Sequence, residues 1–104
     1  MTKKIVITPK AGQDLDDCFA YISQDNPEIA LQFFDSNRLT IAQIARMPGI
    51  GGVFVTNNHR LQGLRKWSVK DFRKYLIFYI DRDEVVEIVR ILYATRDISS
   101  ILDP

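Results

Sequence analysis

Basic side chains are the most concentrated reactive groups in this sequence. From position 60 to 74, Arg60, Arg65, Lys66, Lys70, Arg73 and Lys74 stand against Asp71 alone. Such an excess suits an acidic protein surface or a phosphate backbone, because clustered charge raises the local concentration of an opposite partner. The competing reading is a solvated strand edge, where lysines discourage sheet-to-sheet pairing. Further along, Glu87 and Arg90 interrupt an apolar run, and Tyr93 is followed by Arg96 and Asp97. A buried unpaired charge costs several kcal/mol, so Arg90 is either half of an ion pair or the floor of a binding site. Tyr93 either packs its ring with the hydroxyl in water or serves that site. Arg96 and Asp97 either pair, cap a terminal turn or meet a target.

Two other reactive side chains carry less. Cys18 is the single cysteine and His59 the single histidine, so no internal disulfide and no structural zinc site is expected. No local feature lowers the Cys18 thiol's pKa, which favours a structural role. His59 has no second imidazole or nearby carboxylate in sequence and reads as a surface-loop residue. Trp67 either completes the core or anchors a partner, since tryptophan is over-represented among interface hot spots.

The elements that must position these groups follow from pattern. Residues 3–8 form a short β-branched run stopped by Pro9, a first strand. Thr8 then caps a helix with Pro9 at its first position. Ala11, Leu15, Cys18, Phe19 and Ile22 make its apolar stripe, with Cys18 toward the core. Asp25-Asn26-Pro27 ends this helix and caps the next, whose buried face is read as Ala30, Phe34, Ile41, Ile44 and Ala45. Residues 48–60 read as a loop that turns apolar at Val53, Phe54 and Val55. Strands follow at 64–69, 74–80 and 85–93, the last two joined by the polar turn 81–84. Simple alternation puts Val85, Val89, Ile91 and Tyr93 on one side of the last strand and Val86, Ile88 and Leu92 on the other. A strand apolar on both faces belongs in the sheet interior.

The order β-α-α-β-β-β implies an α+β fold, a helical hairpin packed on a mainly antiparallel sheet. Its second face is expected to stay partly open, a concave surface on which Lys66, Arg90 and Arg96 converge. The 104 residues are 46% hydrophobic, enough for one core, so one domain over 1–104 is expected and an enzyme with an interdomain cleft is excluded. Apolar runs are a few residues long where a membrane span needs about 20. With no signal-peptide pattern at the start, a cytoplasmic location is expected.

Three strings carry a resemblance over nearly the whole chain. They are Leu64-Arg65-Lys66-Trp67-Ser68-Val69, Tyr75-Leu76-Ile77-Phe78-Tyr79, and the ending from Val85 through Arg90, Tyr93 and Arg96-Asp97-Ile98 to Ile101-Leu102. They resemble the ParE/RelE superfamily, the toxin halves of bacterial type II toxin–antitoxin modules, and lie closer to the ParE type. The resemblance implies a RelE/ParE-like fold and a cytoplasmic toxin, of the kind associated with plasmid stabilization, with no cofactor. Members resembling ParE poison DNA gyrase by binding, whereas those resembling RelE cut messenger RNA in the ribosome with basic side chains and a Tyr or His near the C-terminus. Past Arg96-Asp97 this tail has no Tyr or His to act as acid or base. The net charge of +1 is far from the large positive excess expected of a ribosomal RNA binder. Tyr93 stands where many ParE members have His, and tyrosine, with a pKa of about 10, is the poorer base.

The leading expectation is therefore a gyrase inhibitor that works by binding, with no catalytic residue, and with Arg65, Lys66, Arg73, Arg90, Tyr93 and Arg96 toward the target. The resemblance also implies a ParD-like cognate antitoxin. Val53, Phe54, Val55 and Trp67 are its expected contacts, through an amphipathic helix or an extended strand. Sequence-specific DNA binding by this chain alone and membrane binding are not expected. The alternatives are a RelE-like ribosome-dependent endoribonuclease, with Lys66, Arg73 and Arg90 on phosphate and Tyr93 as base, and an inactive remnant that binds an antitoxin.

Overall fold

Proline lacks a backbone donor, so it suits a helix's first position when the residue before it caps the free amides. The chain uses this device twice. In the computed structural model, which describes residues 2–94 and 96–103, Thr8 Oγ1 accepts from the Ala11 amide at 3.1 Å and opens α1 (Pro9–Asp25). Asn26 Oδ1 accepts from the Glu28 and Ile29 amides at 3.1 and 3.2 Å and opens α2 (Pro27–Arg46). Thr95, within the C-terminal string quoted above, lies outside the described residues.

The strands are β1 (Lys4–Ile7), β2 (Gly52–Val53), β3 (Leu64–Val69), β4 (Phe72–Asp81) and β5 (Val85–Tyr93), followed by a short helix α3 (Ile98–Leu102). They form one sheet in the order β1-β5-β4-β3-β2. β1 runs parallel to β5, and the other pairings are antiparallel. β5 therefore lies inside the sheet, as its two apolar faces require. The two-residue β2 had no strand-like pattern of its own. It exists because the chain passes beside β3, with the Phe54 amide bonded to the Leu64 carbonyl at 2.8 Å.

Both faces of the sheet are covered over its centre, while the edge strand β1 stays exposed. The helical hairpin buries one face around Phe33, Ile44, Ile77, Tyr79, Ile88 and Ile91. Phe54, Leu61 and the α3 residues Ile98, Ile101 and Leu102 pack on the other, around Leu64, Phe78, Ile80 and Leu92. The expected open face is thus closed over much of its area by the loop and the C-terminal helix. Asp97 caps that helix, accepting from the Ser100 amide and hydroxyl at 3.4 and 2.8 Å.

Two side-chain assignments change for physical reasons. β4 pairs with β5 in one register from Tyr75↔Tyr93 to Phe78↔Arg90, but Tyr79 then faces Ile88. Val89 is the extra residue of a β-bulge, which reverses the alternation beyond it. Val86, Ile88 and Ile91 consequently share the helix-side core, and Val89 joins Leu92 on the opposite side. On α2 the buried aromatic is Phe33 rather than Phe34, which is exposed and meets Phe19 edge-on at 6.4 Å. Asn37 and Thr40 occupy the same buried face, and their polarity disguised its phase. Leu15, Cys18 and Ile22 pack against the core as their stripe implies. No helix among the described residues is long and apolar enough to cross a membrane.

Candidate functional site

Arg90 stands next to the bulge, and its long side chain reaches Asp14 on α1. Arg90 Nε and Nη2 donate to Asp14 Oδ2 and Oδ1 at 2.7 and 2.9 Å, and the Ile91 amide donates to Oδ2 at 3.0 Å. The two side chains are 18% and 10% exposed. A forked guanidinium–carboxylate pair of this geometry is among the stronger protein hydrogen-bond pairs. The Asp14 bonds and charge hold the guanidinium above its ordinary pKa against the effect of burial. Arg90 is thus the ion-pair half of the two readings. Asp14 is the residue sequence reading missed, and a signal existed: it stands three residues after Ala11 and four before Cys18, an acid on the apolar stripe. Glu87 is likewise paired, accepting from Arg82 at 3.2 and 3.0 Å.

Beyond this pair, the end of β5 and the flank of α1 enclose a cavity of about 460 Å³. Asp17, Cys18, Tyr21, Tyr75, Tyr93 and Arg96 line it. Tyr93 and Arg96 are therefore neighbours, as expected of a shared surface. The rings of Tyr75 and Tyr93 meet edge-to-face at 4.9 Å, a favourable aromatic geometry. Burial, reinforced by Asp14 and Asp17, pushes the Cys18 thiol up to about 11, leaving it a poor nucleophile at neutral pH. Burial also raises Tyr75 above its ordinary value.

A second cavity, of about 790 Å³, runs between α2 and β3. Leu39, Gln43 and Arg46 form one wall, and Trp67, Lys70 and Arg73 the other. Trp67 is half-buried against the helix-side core, with its indole N–H 3.4 Å from Gln43 Oε1. It is both core and groove wall.

The remaining expected site residues fall elsewhere, because neighbours along a strand point to opposite faces. Arg65 donates to the Gly51 carbonyl at 2.6 Å on the helix side. Lys66 points the other way, its ammonium 5.6 Å from the centre of the Phe54 ring, a cation–π distance. Phe54 is half-buried against Phe78, while Val53 and Val55 are 64% and 86% exposed. The expected convergence of Lys66, Arg90 and Arg96 does not occur. Lys66 lies on the side opposite Tyr93, Arg90 is bound to Asp14, and Arg96 lines the tyrosine cavity.

Comparison with known proteins agrees with this architecture. A solved structure described as "Chromosomal ParDE TA system from P. aeruginosa" is similar with a TM-score of 0.68. The match covers 88% of this chain and 96% of that one at 18% identity, and it supports the fold alone. No curated protein sequence matches. Residues 5–98 match the family model of the ParE toxin of the type II toxin–antitoxin system parDE. With nearly the whole sheet and both long helices inside that match, the chain belongs to the ParE toxin family.

Proposed function

We propose that this ParE-family toxin inhibits DNA gyrase by binding, in the cytoplasm, and that a cognate ParD-like antitoxin neutralises it. The observation that carries the reading is the dispersal of the basic residues. Phosphodiester cleavage needs cations and an acid–base group within hydrogen-bond reach of one phosphate. Here Arg90 is bound to Asp14, and Lys66 and Tyr93 stand on opposite faces of the sheet. Separate cationic and aromatic patches suit recognition of a protein surface at several points. The Tyr21–Tyr75–Tyr93–Arg96 cavity is the target-facing patch in this reading, and Arg65, Lys66 and Arg73 add charge around it at longer range.

Regulated expression followed by supercoiling and cleavage assays with purified gyrase tests the proposal. Filamentation, the DNA-damage response and lost supercoiling are the expected results. Codon-positioned cleavage of messenger RNA in a reconstituted translation system would replace it with the ribonuclease reading, and unaffected growth would leave an antitoxin-binding remnant. Co-expression with the neighbouring gene's product is expected to restore growth and raise both solubility and melting temperature.

A further inference from the structure

We infer that the open edge of β1 is a self-association surface, on which a second copy of this chain pairs antiparallel about a two-fold axis through Val6.

The backbone sets the position. The Lys4 amide donates to the Glu84 carbonyl and the Thr8 amide to the Ile88 carbonyl, at 3.2 and 3.0 Å. Alternation along a strand therefore turns the backbone groups of Lys4, Val6 and Thr8 toward β5 and those of Ile5 and Ile7 outward. β1 ends the sheet, and among the described residues neither Ile5 nor Ile7 has a hydrogen-bond partner on that side. The edge is closed at both ends. The Lys3 amide is taken by the Ala45 carbonyl at 3.0 Å, and Pro9 has no amide to give.

The side chains leave the stretch between unguarded. Natural edges are usually blunted by charge or proline, yet Ile5, Val6 and Ile7 are 42%, 45% and 47% exposed. Ile5 and Ile7 stand beside Val86 and Ile88 on the helix side, and Val6 stands beside Glu87 on the other. The neighbouring Lys3 is already held by Asp81 and by the Arg82 carbonyl.

A second copy fits this edge because the register closes on itself. With Val6 opposite Val6 of the second copy, Ile5 and Ile7 of each chain exchange amide and carbonyl bonds with Ile7 and Ile5 of the other, and every open group is satisfied. The isoleucines then meet on the helix side and the two valines on the opposite face. Centring on Ile5 instead would require the occupied Lys3 amide, and centring on Ile7 would require an amide from Pro9. Charge agrees with the first register. Lys4 lies opposite Thr8, so the two Lys4 residues are offset by about 13 Å at the strand rise, beyond a Debye length of about 10 Å at 0.1 M salt. So short a pairing belongs with the weak, concentration-dependent interfaces.

Sedimentation of the purified full chain from low micromolar to low millimolar concentration is expected to show a monomer–dimer equilibrium. Val6→Lys sets two ammonium groups directly opposite one another and should weaken association roughly tenfold or more. The exposed site lets this variant keep its fold. Ile7→Pro removes an outward amide at a position where an edge strand tolerates proline, and should act likewise. Cross-linking reads the register. In a Cys18→Ser background, with copper–phenanthroline as oxidant, Val6→Cys brings two thiols together at a Cα separation of about 4.5 Å and should give a covalent dimer. Ile5→Cys should not, since the two copies of position 5 lie on a diagonal, more than about 7 Å apart. Monomer at every concentration, association unaffected by Val6→Lys and Ile7→Pro, or a disulfide at position 5 in place of position 6 would overturn the inference. Slow amide exchange at Ile5 and Ile7 only with the neighbouring gene's product bound, in a chain that otherwise stays monomeric, would give the edge to a different protein. None of these readouts depends on toxicity.

Discussion

Gly51 is glycine because of Tyr79. A Cβ at position 51 would stand 2.6 Å from the Tyr79 hydroxyl and 2.7 Å from the Lys66 carbonyl, inside the distance that carbon and oxygen tolerate. The fully buried Tyr79 ring holds the turn before β2 through its two hydroxyl hydrogen bonds. Gly51→Ala is therefore expected to destabilise the chain by about 1–3 kcal/mol, the usual cost of overpacking. Tyr79→Phe, which leaves the Gly51 amide and the Pro48 carbonyl unpartnered, should cost about 1–3 kcal/mol. Urea denaturation of both variants measures this, and midpoints equal to the parent's would show that the turn stands without the clamp.

Breaking the Arg90–Asp14 pair leaves one charge partly buried without its partner. Arg90→Ala and Asp14→Ala should each lower stability by about 3 kcal/mol, with the Asp14 variant the worse because it also releases the Ile91 amide. Toxicity per folded molecule should survive in Arg90→Ala. A folded Arg90→Ala protein that no longer arrests growth would move the arginine from the scaffold to the target surface.

At the tyrosine cavity, a binding surface and an acid–base site respond differently to the same change. Tyr93→Phe keeps the ring against Tyr75 and is expected to retain toxicity, whereas Arg96→Ala should weaken it. Gyrase inhibition by the purified variants provides the measurement. Loss of activity in Tyr93→Phe alone would point to proton transfer through the hydroxyl.

The Cys18 thiol has a defined pH signature. Burial and the nearby carboxylates favour its neutral form, lifting it from 9.0 to about 11. Because the folded value lies above the unfolded one, the native state's preference for the thiol is fully present below about pH 9 and is lost as pH rises through about 11. Alkylation by iodoacetamide should thus be slow in the native chain at pH 8–9, faster in the denatured chain, and should converge near pH 11. Equal rates in the two states at pH 9 would contradict the burial argument.

Both long helices were readable because each announces itself with a polar cap and a proline, and the β3–β4–β5 meander because its strands are β-branched and aromatic. What escaped reading depended on contacts between distant segments. β2 carries no strand signal and exists through Leu64; the bulge at Val89 is a property of two strands, so one strand's alternation could not reveal it. Among site residues, Tyr93 with Arg96 and Trp67 with Arg73 do come together in pairs. Arg65 and Lys66 were bound to separate, since adjacent strand residues point apart, and their shared charge masked that rule.

β1 is the first strand made and the last that can settle. Its parallel neighbour is β5, with Lys4 opposite Val85 and the Thr8 amide on the Ile88 carbonyl. A growing polypeptide emerges at about 5–20 residues per second, so the N-terminal segment waits several seconds for the template it needs. Pairings of such sequence separation slow folding. A chain that stops before β5 therefore leaves β1 without the strand it pairs with, and the sheet without an interior member.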